Sequence, residues 1–188
     1  LIIIGAGGHG RSVAEAVSLS QEFEVAGFLD DAWPQNIKIW SYPILGNTLE
    51  IDRHCDVADW VIVAIGDNKR RAELHQKLRL IGFNLAIIKH PSAIIAPSAT
   101  IGDGTTIMAG AIVGTESKLG CGVILNSGAI VDHHCEVGDF GHLGVNTCMA
   151  GGSSLDEGAW LHPGSSLGYR VKIPAWKIVS SGTTIINA

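Results

Sequence analysis

The chain has 188 residues, a formal net charge of −5 and 24 glycines, with 46% hydrophobic and only 16% charged residues. That length fits one or two small domains with a real core, and the hydrophobic share argues against disorder. No apolar run approaches the roughly 18 residues of a membrane helix, and an acidic balance without basic runs argues against nucleic acid or an anionic membrane as partner. Leu1–Gly5 is apolar but short and lacks the basic flank of a signal peptide. A cytoplasmic protein with reduced thiols is therefore expected. Cys55, Cys121, Cys135 and Cys148 form no CxxC pair and no zinc-ribbon spacing. Leu1 stands where an initiator Met would, and the chain stops inside a repeat at Ala188, so both ends are expected to be trimmed.

Two compositions meet near residue 94. The first half holds 20 of the 31 charged residues and the second 16 of the 24 glycines. In the first half, Leu1–Gly5 reads as a buried strand, followed by the glycine-rich Gly5–Gly10 and a helix over Arg11–Leu19. Glu24–Leu29 is a second strand ending in Asp30-Asp31, and Trp60–Ile65 is a third. Asp67–Ile81 is helical, with Leu74, Leu78 and Ile81 recurring at helical spacing. Asn84–Lys89 is a further apolar strand. Strand–helix–strand alternation predicts a parallel sheet with helices on its faces, a small Rossmann-like α/β domain over residues 1–94.

Residues 95–188 have no helical period. Steps of six from Ile95 reach Ile101, Ile107, Val113 and so on to Ile185, and all sixteen positions are aliphatic. Four residues beyond each anchor the side chain is nearly always small, Lys177 being the misfit. This large–small hexad predicts a triangular parallel β-helix, with three hexads per coil and an aliphatic core. Coils of eighteen residues stack about 4.8 Å apart.

Gly5-Ala6-Gly7-Gly8-His9-Gly10 fits GxGxxG between strand and helix, with Asp30 about 20 residues on. Backbone N–H groups at the helix start suit a pyrophosphate. A dinucleotide is one candidate ligand, but the first half has no room for a second mononucleotide unit. A nucleotide with a single base, such as a UDP-sugar, fits better. His133, His134 and His142 cluster within ten residues. A metal site is not expected: no histidine column forms at the coil spacing, and adjacent residues on a strand point to opposite sides.

Five segments in order, IIIGAGGHGRSV (Ile2–Val13), FLDD (Phe28–Asp31), VAIGDNKRR (Val63–Arg71), HPSA (His90–Ala93) and GAIVDHHCEVGDFGHLG (Gly128–Gly144), give a chain that resembles the PglD/NeuD-type sugar acyltransferases. These belong to the hexapeptide-repeat superfamily, whose β-helix is left-handed. The resemblance implies an acetyl-CoA-dependent N-acetyltransferase acting on a UDP-linked 4-amino-dideoxy sugar, as a homotrimer with sites between subunits. It implies substrate contacts from Gly7, Gly8, His9, Gly10, Asp30, Asp31, Gly66 and Asn126. His133 matches the family's proposed general base, a task that suits imidazole. Gly151 lies one coil from His133 and matches an oxyanion donor, while His142, Pro163 and Ser181 match acetyl-CoA contacts. O-acetylation of a sialic-acid-type sugar and a silent nucleotide-sugar scaffold are the alternatives. The family places Asp or Glu directly after the base, where this chain has His134. Asp132 or Asp139 is expected to supply the missing acid, or the base is weaker.

Overall fold

A computed structural model describes residues 1–186. Asn187 and Ala188, on which the expectation of a trimmed C-terminal end bears, lie outside the described residues. The N-terminal unit runs β1 (Ile2–Ile4), α1 (Gly8–Ser20), β2 (Gly27–Leu29), β3 (Lys38–Ile39), β4 (Tyr42–Gly46), a 3₁₀ segment (Thr48–His54), β5 (Trp60–Val63), α2 (Asn68–Ile81) and β6 (Asn84–Leu85). The sheet order is β3-β4-β2-β1-β5-β6, parallel except for the β3–β4 hairpin. Strand alternation divides the core in two. Ile3, Phe28 and Ile62 pack on one side with Val13 and Val17 of α1. Ile2, Ile4, Val61 and Val63 pack on the other with Leu74 and Leu78 of α2. A sheet covered on both faces explains why β1 and β5 read as unbroken apolar runs. The Asp67 side chain accepts the Arg70 N–H to start α2, and Gly82, left-handed at φ +99°, ends it.

From residue 88 the chain becomes a left-handed parallel β-helix of two-residue strands, each pairing with the strand eighteen residues on. The anchors from Ile107 to Val179 point inward and are nearly all fully buried. At the corners, fourteen positions spaced six apart, from Gly104 to Gly182, adopt positive φ, and eight of them are glycine. The stretch expected as one strand over Asn84–Lys89 splits in two. Asn84–Leu85 closes the first sheet, and Ile88–Lys89 already pairs with Thr106–Ile107. The ladder thus begins one hexad before Ile95. The aliphatic phase hides this start because Lys89, at the open end of the core, holds the inward register and stays exposed, while Ile88 packs toward α1. The four cysteines are unpaired, Cys135 buried and Cys55 exposed.

The three faces of the prism differ in what points outward. The docking face carries Thr106, Ile124 and His142, which are buried beneath the N-terminal unit. The polar face carries Lys118, Glu136, Ser154 and Lys172, with Lys118 paired to Glu136 and Lys172 to Asp156. The third face carries Ile94, Ile112, Ile130 and Cys148, all at least partly exposed.

Two neighbouring side chains of α2 join the two units. Arg71 on α2 is fully buried and donates to Ile65 O (2.9 Å) in its own unit and to Gly122 O (2.7 Å) and Phe140 O (2.8 Å) in the β-helix. Asn68 reaches the next carbonyl of the column, Gly158 O, at 2.9 Å, and its Oδ1 accepts from Arg71. Gly122, Phe140 and Gly158 are spaced one coil apart, so α2 reads a ladder of corner carbonyls. Arg71→Met keeps the aliphatic stem but leaves these buried carbonyls without a donor. The loss expected is about 3 kcal/mol, measured by urea unfolding; a variant as stable as the parent would contradict the clamp.

Candidate active site

The GxGxxG loop joins β1 to α1 as expected. Gly10 packs so closely on Gly5 that a Cβ would collide with its carbonyl oxygen. Gly10 therefore sets helix–strand distance, while Gly7 and Gly8 are exposed at the helix start with open space around them. Asp30 shapes this loop: Oδ2 accepts the Ala6 N–H (2.7 Å) and Oδ1 the Ala32 N–H (2.9 Å). Asp31 instead accepts from the backbone and hydroxyl of Thr48. His9 turns from the loop mouth toward the β-helix, its Nε2 3.4 Å from Thr106 Oγ1.

At the domain junction, His142 is 5% exposed, with Nδ1 3.3 Å from Asn68 Oδ1 and Nε2 2.9 Å from Asn126 Nδ2. Trp160, one coil on, stacks flat on its ring at 4.5 Å. Gly66 abuts the same ring, and its carbonyl accepts from Arg71 at 3.3 Å. Gly66, Asn126 and His142 are therefore brought together. His142, matched to acetyl-CoA by sequence, is enclosed by its own chain because the N-terminal unit docks over its strand. Pro163 and Ser181 are exposed at the corner that also carries Asn126, and Gly182 N–H donates to Pro163 O at 3.0 Å, which fixes their one-coil spacing. Between this corner and α1 lies a groove lined by Ser12, Glu15, His90, Met108, Ala109 and Ser127.

His133 sits across the third face, at its other corner. Its ring lies over Gly151, where a Cβ would collide with it. The Gly151 N–H donates no hydrogen bond among the described residues. His133 and His134 do not diverge as a strand would require. His134 is left-handed (φ +55°), so the corner turns both rings to one side, with their Nδ1 atoms 2.9 Å apart. His134 Nε2 is 2.9 Å from Glu116 Oε2, and His133 Nε2 is 3.7 Å from Asp132 Oδ2. Asp139 is at a different corner, accepting the Cys121 N–H at 2.8 Å. Among the described residues no three His, Cys, Asp or Glu side chains converge to hold a metal, and no helix is long and apolar enough to cross a membrane.

Sequence reasoning missed Glu116, Asn68 and Arg71. Glu116 was within reach, since it precedes His134 by one coil. Trp160 and Trp176, which lie outside the inward register, pack on their own chain: Trp160 on His142, Trp176 over Gly158 with the Lys69 ammonium 6.0 Å from its ring.

Burial, reinforced by the Arg71 charge, pushes His9 and His75 down to about 4 and His142 down to about 3. All three are neutral in the folded protein near pH 7. As pH falls below about 6.5, their unfolded counterparts take up protons that the folded protein does not bind, so stability drops toward pH 4. A melting temperature flat above pH 7 and falling steeply between pH 6.5 and 4.5 is expected, with the slope reduced in His142→Asn. Equal slopes in parent and variant would contradict this assignment.

The family model described as the PglD N-terminal domain matches residues 1–78. The structure of PerB from Caulobacter crescentus, in complex with CoA and GDP-perosamine, superposes with a TM-score of 0.93 at 36% identity, covering 99% of this chain and 88% of that one. The acetyltransferase domain of PglB from Neisseria gonorrhoeae gives 0.77 at 31% identity, covering 99% and 95%. The UDP-N-acetylbacillosamine N-acetyltransferase of Bacillus subtilis is 34% identical over 110 residues, or 57% of this chain and 50% of that relative. The chain thus spans about half the length of that curated relative.

Proposed function

The chain belongs to the PglD/NeuD-type hexapeptide-repeat sugar acyltransferases, and we propose that it transfers an acetyl group from acetyl-CoA to the amine of a nucleotide-linked 4-amino-dideoxy sugar. The observation that carries this reading is the His133 ring lying over Gly151, whose N–H is free, in a chain similar to an enzyme crystallised with CoA and GDP-perosamine. His133 Nε2 takes a proton from the attacking amine as nitrogen bonds to the thioester carbon. Gly151 N–H donates to the carbonyl oxygen as charge develops there. The C–S bond then breaks and CoA leaves. The exposed glycines Gly7 and Gly8 at the α1 start take the nucleotide phosphates. Asp30 holds that loop in shape and Asp31 braces the adjoining strand end. Gly66 and Asn126 meet the sugar, with His142 holding Asn126 in place, and Pro163 and Ser181 meet the pantetheine arm.

His133 and Asn126 lie at opposite corners of one face, whose outward residues are Ile94, Ile112, Ile130 and Cys148 in the first coils and the hydrogen-bonded pair Ser166 and Thr184 in the last. The other two faces are covered by the N-terminal unit or charged. A second copy of the chain therefore suits the third face, and a threefold ring closes it while bringing the His133 corner of one copy to the Asn126 corner of the next. Ile112→Glu combined with Ile130→Lys is expected to give monomers by light scattering and to abolish acetyl transfer. An active monomer would overturn the shared site.

CoA release should be measured with 4-amino-dideoxy sugars linked to UDP and to GDP, and with free and CMP-linked sialic acids. The UDP-linked sugar is the one the sequence resemblance implies, and the GDP-linked one is favoured by the similarity to PerB. Turnover is expected with an amino sugar alone, and His133→Ala should lower kcat by roughly 10²–10⁴-fold. Turnover of sialic acids only would favour O-acetylation, and unchanged turnover in His133→Ala would remove the base.

A further inference from the structure

The residue after the base is His134, which brings no negative charge of its own. The corner supplies one from the coil below. Glu116 precedes His134 by eighteen residues, one full coil, and its Oε2 lies 2.9 Å from His134 Nε2. His134 Nδ1 in turn lies 2.9 Å from His133 Nδ1. The three side chains form a single file from carboxylate to the imidazole over Gly151.

With both imidazoles neutral, proton placement along this file has one self-consistent solution. An ionised Glu116 only accepts, so His134 carries its proton on Nε2. His134 Nδ1 is then a lone pair and accepts from His133, which carries its proton on Nδ1. The remaining nitrogen, His133 Nε2, is left unprotonated, as a general base must be. The rival acids do not serve. Asp132 stands 3.7 Å from Nε2, the nitrogen that must stay free, and Asp139 is bonded to backbone at another corner.

A second observation points the same way. Glu116 and His134 both hold left-handed backbone, at φ +56° and +55°, at a corner position that is glycine in eight of fourteen cases. Side chains at that position are costly, and such outliers gather where function holds them. The Glu116 backbone is itself pinned, its N–H donating to Ser98 Oγ at 3.0 Å.

We propose that Glu116, acting through His134, is a positioning residue that fixes the tautomer of His133 and so prepares its Nε2 to take the proton of the substrate amine. This rests on His133 being the base. The pair thus stands in for a carboxylate placed directly after the base, with the acid drawn from the preceding coil.

The test is a double-mutant cycle with His134→Asp, a substitution compatible with left-handed backbone. It places a carboxylate oxygen where His134 Nδ1 lies, so the base no longer needs Glu116. In the parent, Glu116→Ala is expected to lower kcat about tenfold, the scale on which partners of catalytic groups act, with KM for both substrates and the melting temperature unchanged. In the His134→Asp background the same substitution is expected to change kcat by less than about twofold. An unchanged kcat in the parent, an equal loss in both backgrounds, or a folded but inactive His134→Asp would each overturn the proposal. His133→Ala, run beside these, separates the readings. If it keeps full turnover, the base assignment itself fails; if it is inactive while Glu116→Ala is fully active, the relay alone fails.

Discussion

Eighteen residues make one coil, and almost everything in this protein depends on that count being kept without insertion from Ile88 to Ile185. The count is enforced by packing. Each anchor such as Leu125, Leu143 or Leu161 lies directly over another in a core one side chain wide, so a single-residue slip would turn a whole run of aliphatics outward. The same register that stacks the core also stacks the corners. It sets the His133 ring over Gly151, brings Glu116 beneath His134, spaces Pro163 and Ser181 one coil apart, and lines up the carbonyls of Gly122, Phe140 and Gly158. The placement of these corner groups is thus a by-product of a register that hydrophobic burial already demands.

The N-terminal unit exploits that register from outside. Arg71 and Asn68 together meet three successive corner carbonyls, so the docking is indexed to the coil spacing, and a shift by one coil would leave a buried guanidinium with unmatched groups. Electrostatics follow from this one buried cation. Its charge adds to burial in keeping His9, His75 and His142 neutral, so the histidines at the junction serve as uncharged spacers and hydrogen-bond partners. The exposed pair His133–His134 lies on a different corner, beside Glu116 and Gly151. One protein therefore uses histidine in two ways, set by where the coil puts it.

The architecture was legible in the sequence because its signals are periodic. Sixteen aliphatic anchors in phase admit one explanation, and the unbroken apolar runs of the first half reported a sheet covered on both sides. What escaped lacks such a signature. Arg71 recognises backbone carbonyls, which every residue has, so nothing in the partner segment announces the contact. The start of the ladder at Ile88 was masked because Lys89 holds an inward position at an open end where no apolar side chain is required. The divergence expected of His133 and His134 assumed a strand, whereas left-handed backbone at His134 makes a corner. Glu116 was findable by stepping back one coil from His134, yet its role depends on side-chain reach across coils, which a one-dimensional reading does not weigh. Enclosure of His142 depends on domain docking and leaves no trace in the repeat.

The proposed site has two halves on opposite corners of the third face of one chain and is completed only by a neighbouring copy. Intersubunit complementation tests this most directly. His133→Ala and Asn126→Ala chains, each defective alone, would be co-expressed in equal amounts with different tags, and trimers carrying both tags purified. A site shared between copies predicts recovery of about a third of parental acetyl transfer, because one of the three interfaces in every closed ring holding both chains joins an intact His133 to an intact Asn126. Mixed trimers no more active than the two variants measured separately would contradict it.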